Sequence, residues 1–357
     1  MGMAKIVMEQ KRARRQLLAD GALLGVTLIW GSTFVLVKDI VEQVPPMLFL
    51  SVRFALGALA LAVVALLARR WSGLTMSEVA WGAVIGTALW AGYALQTVGL
   101  QWTTASNAGF ITGLSVVLVP VLGVFVLRHT PDGWAWGGVA LATAGLALLS
   151  LRPEQGMTLN IGDLLVLGCA LAFALQIVLV ARVAGWADPL RVTMVQVLVA
   201  GLLNAVAALL FERPAPGLST EIWAGAAFLG VAATALAITI QMSVQSFTTA
   251  VHTALIFTME PVFAAAFGFW LQGDRLGPGG LVGAVLILGG MLLAELGPQM
   301  HVRVSGHTAN RQASFDEARA VPVPPAPPAL PPEPADLDAW VESGAKVEAE
   351  EPALDRS

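Results

Sequence analysis

The apolar residues of this 357-residue chain fall into blocks about as long as a lipid bilayer is thick. That spacing limits the fold more than any other feature. A helix rises 1.5 Å per residue, so about 20 apolar residues cross roughly 30 Å of hydrocarbon. Ten such blocks can be read, over residues 18–38, 46–68, 78–98, 105–127, 134–151, 162–181, 189–211, 221–243, 249–271 and 277–296. Turn and cap residues stand between them: Pro45-Pro46, Ser77-Glu78, Pro131-Asp132-Gly133, Gly162-Asp163, Asp188-Pro189, Thr220-Glu221 and Gly277-Pro278. Ser77 and Thr220 are the expected N-caps, each followed by a carboxylate suited to a helix start. Apolar residues make up 57% of the chain and charged ones 12%. A soluble globule hides only a limited share of its surface, so this composition excludes one. The expected fold is an all-α membrane protein with ten transmembrane helices.

The charges are few but unevenly spread. Lys5, Lys11, Arg12, Arg14 and Arg15 make residues 1–17 basic, while acidic residues gather near the other end. Lys38 and Asp39 follow the first apolar block in place of a small-residue cleavage pattern, so the block is a span and not a secretory leader. Among the short connections, Arg69, Arg70, Arg128 and Arg182 would share a side with the basic N-terminus, and Lys38, Arg152, Arg213 and Arg275 would face the other. The richer side is cytoplasmic. An even number of spans then leaves both termini in the cytoplasm of a multi-pass inner-membrane protein. Residues 298–357 carry the run VPVPPAPPALPPEPAD and then a cluster of acids, the composition of a disordered tail. No folded basic face is available for nucleic acid. The single cysteine, Cys169, excludes an intrachain disulfide and a cysteine-based metal cluster, and its apolar neighbours fit packing. No metal or cofactor is called for.

The chain repeats itself. Laid on its own second half, Asp20 falls on Asp163, Gly25 on Gly168, Pro46 on Pro189, Glu78 on Glu221 and Gly82 on Gly225, without a gap. Each repeat holds five spans, residues 18–151 and 162–296. Five is odd, so the second copy enters the membrane from the opposite side. Inverted repeats of this kind recur in secondary transporters.

The stretches IWGSTFVLVK, FLSVRFALGALAL and TTASNAGFITGLSVVLVPVLG, with MEPVFAAAFGFWLQGDRLGPGGLVGAVLILGG near the end, resemble the EamA-type permeases of the drug/metabolite transporter superfamily. The resemblance covers residues 18–296. It implies a ten-helix inverted-repeat fold and export of small metabolites such as amino acids. It also implies a central cavity built from spans 1, 3, 4, 6, 8 and 9, with spans 5 and 10 at the periphery. Two departures stand out: Gly273-Asp274 replaces the usual Gly-Glu, and RHTPD at the end of span 4 has no glutamate.

A solute needs a wet path, so polar groups at membrane depth mark candidate site residues. Helical spacing decides which share a face. Trp30 and Thr33 lie in the first span, Trp90, Tyr93 and Gln96 in the third, and Asn107 in the fourth. Gln176 lies in the sixth, Gln241 in the eighth, and Thr253 and Glu260 in the ninth. Amides, hydroxyls and rings around one carboxylate suit a small neutral or zwitterionic solute. Glu260 directly precedes Pro261, which cannot donate to the carbonyl of Phe257 and so breaks the helix. Irregular backbone at this depth belongs beside protein or a water-filled cavity. Glu260 is therefore expected to contact a cationic group of the substrate or to carry a coupling proton. Arg53 is long enough to snorkel to the headgroups, or to pair with Asp39 or Glu42, and these readings are preferred over substrate binding. Gly279-x-x-x-Gly283 and Gly138-x-x-x-Ala142 allow close helix approach, within the chain or in a homodimer.

A membrane-embedded enzyme acting on lipid or peptide is the alternative, but no His-Glu-x-x-His occurs, and no nucleophile has an evident base at membrane depth. A non-transporting scaffold that recruits partners through its tail is a third reading. No phosphate-binding loop is present, so ATP is not a direct energy source.

Overall fold

Several helix starts carry their own local signal. A computed structural model of the chain describes residues 2–70, 73–103, 105–128, 130–150, 160–213, 217–272, 278–294 and 296–297. The tail at 298–357 and the Gly273-Asp274 departure lie outside them. Helix α1 (Gly2–Val41) begins well before the expected residue 18, so the basic N-terminal stretch is helical. Helix α2 (Pro46–Leu67) opens on proline at its first position, where the missing N–H is no loss. Helix α3 (Met76–Gly99) is capped by Thr75 in a reciprocal box with Glu78. That corrects the expected cap at Ser77: the hydroxyl must stand three residues before the carboxylate for each to reach the other's N–H. For the same reason of reach, Ser219 rather than Thr220 caps helix α9, accepting from the Ile222 N–H. Asn160 and Asp163 make a second box at helix α7 (Ile161–Val183), and Asp188 caps helix α8 (Pro189–Phe211).

Three expected spans are interrupted. The fourth is split at Leu114 into α4 (Ala105–Gly113) and α5 (Ser115–Leu127). The eighth runs as α9 (Thr220–Gly230), a π-helical stretch Val231–Leu236, α10 (Ala237–Val244) and a short 3₁₀ turn. Thr234 stabilises the π stretch by donating its hydroxyl to the Leu229 carbonyl five residues back, at 2.9 Å. The ninth is split at Thr258 into α11 (Ala250–Phe257) and α12 (Met259–Gln272). Helix α6 (Gly133–Ser150) and a final helix α13 (Pro278–Ala294) complete the order.

Seven helical stretches among the described residues are long and apolar enough to cross a membrane. The large apolar side chains Leu67, Leu209, Phe211 and Trp270 are all strongly exposed, as lipid-facing positions must be. The chain is an all-α, multi-pass membrane protein.

Helix pairs pack through small residues and through end contacts. Arg70, just past α2, pairs with Asp188 before α8 at 2.7 Å. Glu212, just past α8, receives the N–H groups of Met47 and Leu48 at the start of α2, at 2.7 and 2.8 Å. α2 and α8 therefore run antiparallel. α6 and α13 do the same: a Cβ on Gly138 would meet the Gly290 carbonyl, and one on Gly145 would meet the Gly283 carbonyl, each at 2.6 Å. The small residues singled out in the sequence as a close-approach stripe are used in this contact within the chain.

Candidate functional site

The interrupted helices meet at a cavity. Trp30, Thr33, Phe34 and Val37 of α1 form one wall, and Leu89, Tyr93, Gln96 and Leu100 of α3 form another. α4 and α5 add Gly109, Thr112 and Ser115, α7 adds Phe173, Gln176 and Ile177, and α10 adds Gln241. Phe257, Glu260 and Pro261 close it from the broken ninth span, and Arg53 of α2 enters from the side. The volume is about 60 Å³, room for about four to six water molecules.

Four rings line the interior at edge-to-face angles. Trp30 and Phe257 stand 5.0 Å apart, and Tyr93 and Phe173 stand 5.2 Å apart. The indole N–H of Trp30 donates to the Ala233 carbonyl in the π stretch at 2.8 Å. Trp30 is thereby fixed to the irregular segment across the bundle. The amides form three links. Gln96 donates to Thr112 Oγ1 at 3.1 Å. Gln241 donates to Gln176 Oε1 at 3.1 Å, while Gln245 donates to the Ile177 carbonyl at 2.7 Å and so ties α7 to the end of the eighth span.

Glu260 sits two residues past the break at Thr258. The Thr258 N–H reaches the carbonyls of Ala254 and Leu255, both at 3.2 Å, a tightened last turn that ends α11. Pro261 then supplies no N–H to the carbonyl of Phe257. The backbone beside Glu260 is held tightly: a Cβ on Gly31 of α1 would meet the Glu260 carbonyl at 2.8 Å. The side chain is half-buried and turned to the cavity. Among the described residues, no hydrogen bond or ion pair reaches its carboxylate.

Of the residues expected from sequence, Trp30, Thr33, Tyr93, Gln96, Gln176, Gln241, Glu260 and Pro261 line this one cavity. Trp90 and Thr253 do not. Thr253 is fully buried and donates to the Thr249 carbonyl of its own helix at 3.0 Å. The break at Thr258 interrupts the seven-residue register that would have aligned it with Glu260. Trp90 follows Gly86 by one turn, on the face of α3 whose glycine meets the Gln196 carbonyl of α8. Asn107 lies in α4, but its side chain is outside the described residues.

Arg53 is a correction. The expected snorkelling or pairing with Asp39 or Glu42 does not occur: the residue is 2% exposed and its Nε donates to Thr234 Oγ1 at 2.9 Å. The signal was present in the helical spacing. Arg53 shares a stripe with Phe49 and Gly57, both inward-facing, whereas the lipid face of α2 carries Leu59, Val63 and Leu67. His252, which the sequence did not mark as a ligand, lies away from the cavity and contacts Asp20 at 3.1 Å.

Spanning helices, broken backbone at membrane depth and a small cavity of rings and amides define a membrane permease. The profile of the EamA-like transporter family matches residues 17–151 and again residues 160–296, and the chain belongs to that family. An uncharacterized transporter of Archaeoglobus fulgidus is 34% identical over 282 residues, covering 79% of this chain and 87% of its own. The uncharacterized transporter sll0355 of Synechocystis is 24% identical over 310 residues, covering 78% and 92%. The uncharacterized inner membrane transporter YedA of Escherichia coli is 31% identical over 147 residues, 39% of this chain and 45% of its own. A solved crystal structure at 20% identity shares the fold, with a TM-score of 0.67 over 78% of this chain and 98% of that one. Membership makes this a multi-pass cell-membrane transporter, not an enzyme.

Proposed function

We propose that the protein is a secondary transporter that exports a small neutral or zwitterionic metabolite, such as an amino acid, by alternating access. In this reading residues 18–151 and 162–296 are two five-helix repeats of opposite orientation, ten crossings in all, with both termini in the cytoplasm. Two nearly equal halves can adopt two nearly equal packings, and exchanging them moves a central cavity from one face to the other. The antiparallel pairs α2–α8 and α6–α13 support the arrangement, as does the double match of the family profile. The glycines of α6 and α13 pack on each other within the chain.

The observation that carries the proposal is Glu260, a carboxylate at a helix break, facing a cavity, with neither ion pair nor hydrogen bond among the described residues. A charge at this depth costs about 2.5–3.5 kcal/mol on insertion scales. A group kept at that cost is expected to serve the transported solute or a coupling proton. Trp30, Thr33, Tyr93, Gln96, Gln176 and Gln241 would bind the solute beside it.

The test is flux in proteoliposomes at several pH values. Glu260→Gln is expected to abolish transport or to remove its pH dependence. Flux in that variant with the pH profile of the wild type would refute the role given to Glu260.

A further inference from the structure

We infer that Arg53 is the anion-binding residue of the cavity, so that the transported solute carries an anionic and a cationic group together and is held between Arg53 and Glu260. This rests on the transport reading above and narrows it.

Arg53 is buried, with Nε on Thr234 Oγ1 at 2.9 Å and its guanidinium 4.6 Å from the centre of the Tyr93 ring. A hydroxyl and an aromatic face orient the group without neutralising it. Among the described residues no carboxylate lies within ion-pair distance of it. A desolvated cation in that state is strongly disfavoured unless an anion arrives, and the planar fork of arginine matches a carboxylate by two parallel hydrogen bonds. Glu260 stands in the mirror situation, without a cation. Both line the same cavity, and no ion pair joins them among the described residues.

Two opposite charges that face one small cavity without touching leave a gap. A solute with one group of each sign satisfies both. A neutral solute satisfies neither, and an amine leaves Arg53 unanswered. Trp30, Tyr93, Phe173 and Phe257 supply apolar wall for the body between the two ends. Thr234, which holds Arg53, lies in the same π-helical stretch whose Ala233 carbonyl holds Trp30. The anion end and one aromatic wall are thus fixed to a single irregular segment, of the kind often found at functional sites.

The experiment uses the full chain in proteoliposomes and counterflow of labelled alanine, threonine, methionine and phenylalanine, each against its carboxamide and its decarboxylated amine. The wild type is expected to prefer at least one amino acid over both analogues by at least about tenfold in apparent affinity, because a site built for a charged group rejects the analogue lacking it. Arg53→Gln is expected to erase the carboxylate-over-carboxamide preference. Arg53→Lys keeps the charge without the fork and is expected to retain a weakened preference. It is the reporting variant if Arg53→Gln is not monodisperse in detergent. Saturable flux confined to solutes without an anionic group, or a carboxylate preference as strong in the folded variant as in the wild type, overturns the inference and leaves the transport reading standing. Failure of every solute in the panel to cross overturns both.

Discussion

Arg53 has a counterpart in the second half of the chain, Gln196, and the two residues sit in opposite circumstances. Arg53 is engaged by Thr234 and Tyr93 at the cavity. Gln196 is fully buried where α8 meets Gly86 of α3, and neither atom of its amide has a partner among the described residues. A buried unpaired polar group costs about 1–3 kcal/mol relative to an apolar side chain of the same shape. Gln196→Met is therefore expected to stabilise the protein by about 1 kcal/mol, read as a rise in Tm in detergent. A fall in Tm would mean that the amide has a partner of its own. At this scale the sequence was partly legible. The rings and amides of the cavity announced themselves as polar groups in an apolar setting, whereas the length of the Arg53 side chain suggests snorkelling and only the face it shares with Gly57 points inward. Arg53 and Gln196 fall on each other in the alignment that sets Asp20 on Asp163, and they differ in residue type.

At the scale of the element, helix existence was plain from apolar block length, since lipid tolerates little else. The interruptions were not. Only Pro261 advertised one. The π stretch depends on a Thr234–Leu229 hydrogen bond and on what docks against it, and neither leaves a pattern in spacing. End contacts were equally hidden. Glu212 belongs to one helix by sequence and serves another by structure, closing two open N–H groups at the start of α2. Charge-assisted caps of this kind contribute about 1–2 kcal/mol. Glu212→Ala is expected to lower stability by that amount, measured by thermal unfolding, whereas Glu212→Asp, one methylene shorter, should lose less. An unchanged Tm in Glu212→Ala would show that water replaces the carboxylate at no cost.

At the scale of the whole molecule, the proposed inverted arrangement predicts a topology that can be checked without a substrate. Ser77 and Thr220 are both exposed at helix starts in corresponding parts of the two halves. In intact cells a cysteine at position 77 is expected to stay unlabelled by an impermeant maleimide, and one at position 220 to react. Cys169 is fully buried, so background labelling should be low. Reaction of both from the same side would overturn the inverted arrangement. The proposed repeat is read from Asp20/Asp163, Pro46/Pro189 and Glu78/Glu221: Asp163, Pro46, Pro189, Glu78 and Glu221 stand in the first turns of their helices, whereas Asp20 lies within α1 and contacts His252. What the sequence left unseen was how closely α6 and α13 approach, which rests on glycines meeting backbone and can be judged only once the partners are known.

The joint at Thr258 has a mechanical consequence. α11 is tethered through His252 to Asp20 near one end of the bundle, while α12 lies against α1 at Gly31, deeper in. A straight rod would carry both attachments through any tilt together. Under the proposed transport cycle, a rod hinged beside Glu260 would let one end tilt without the other, with the acid at the pivot.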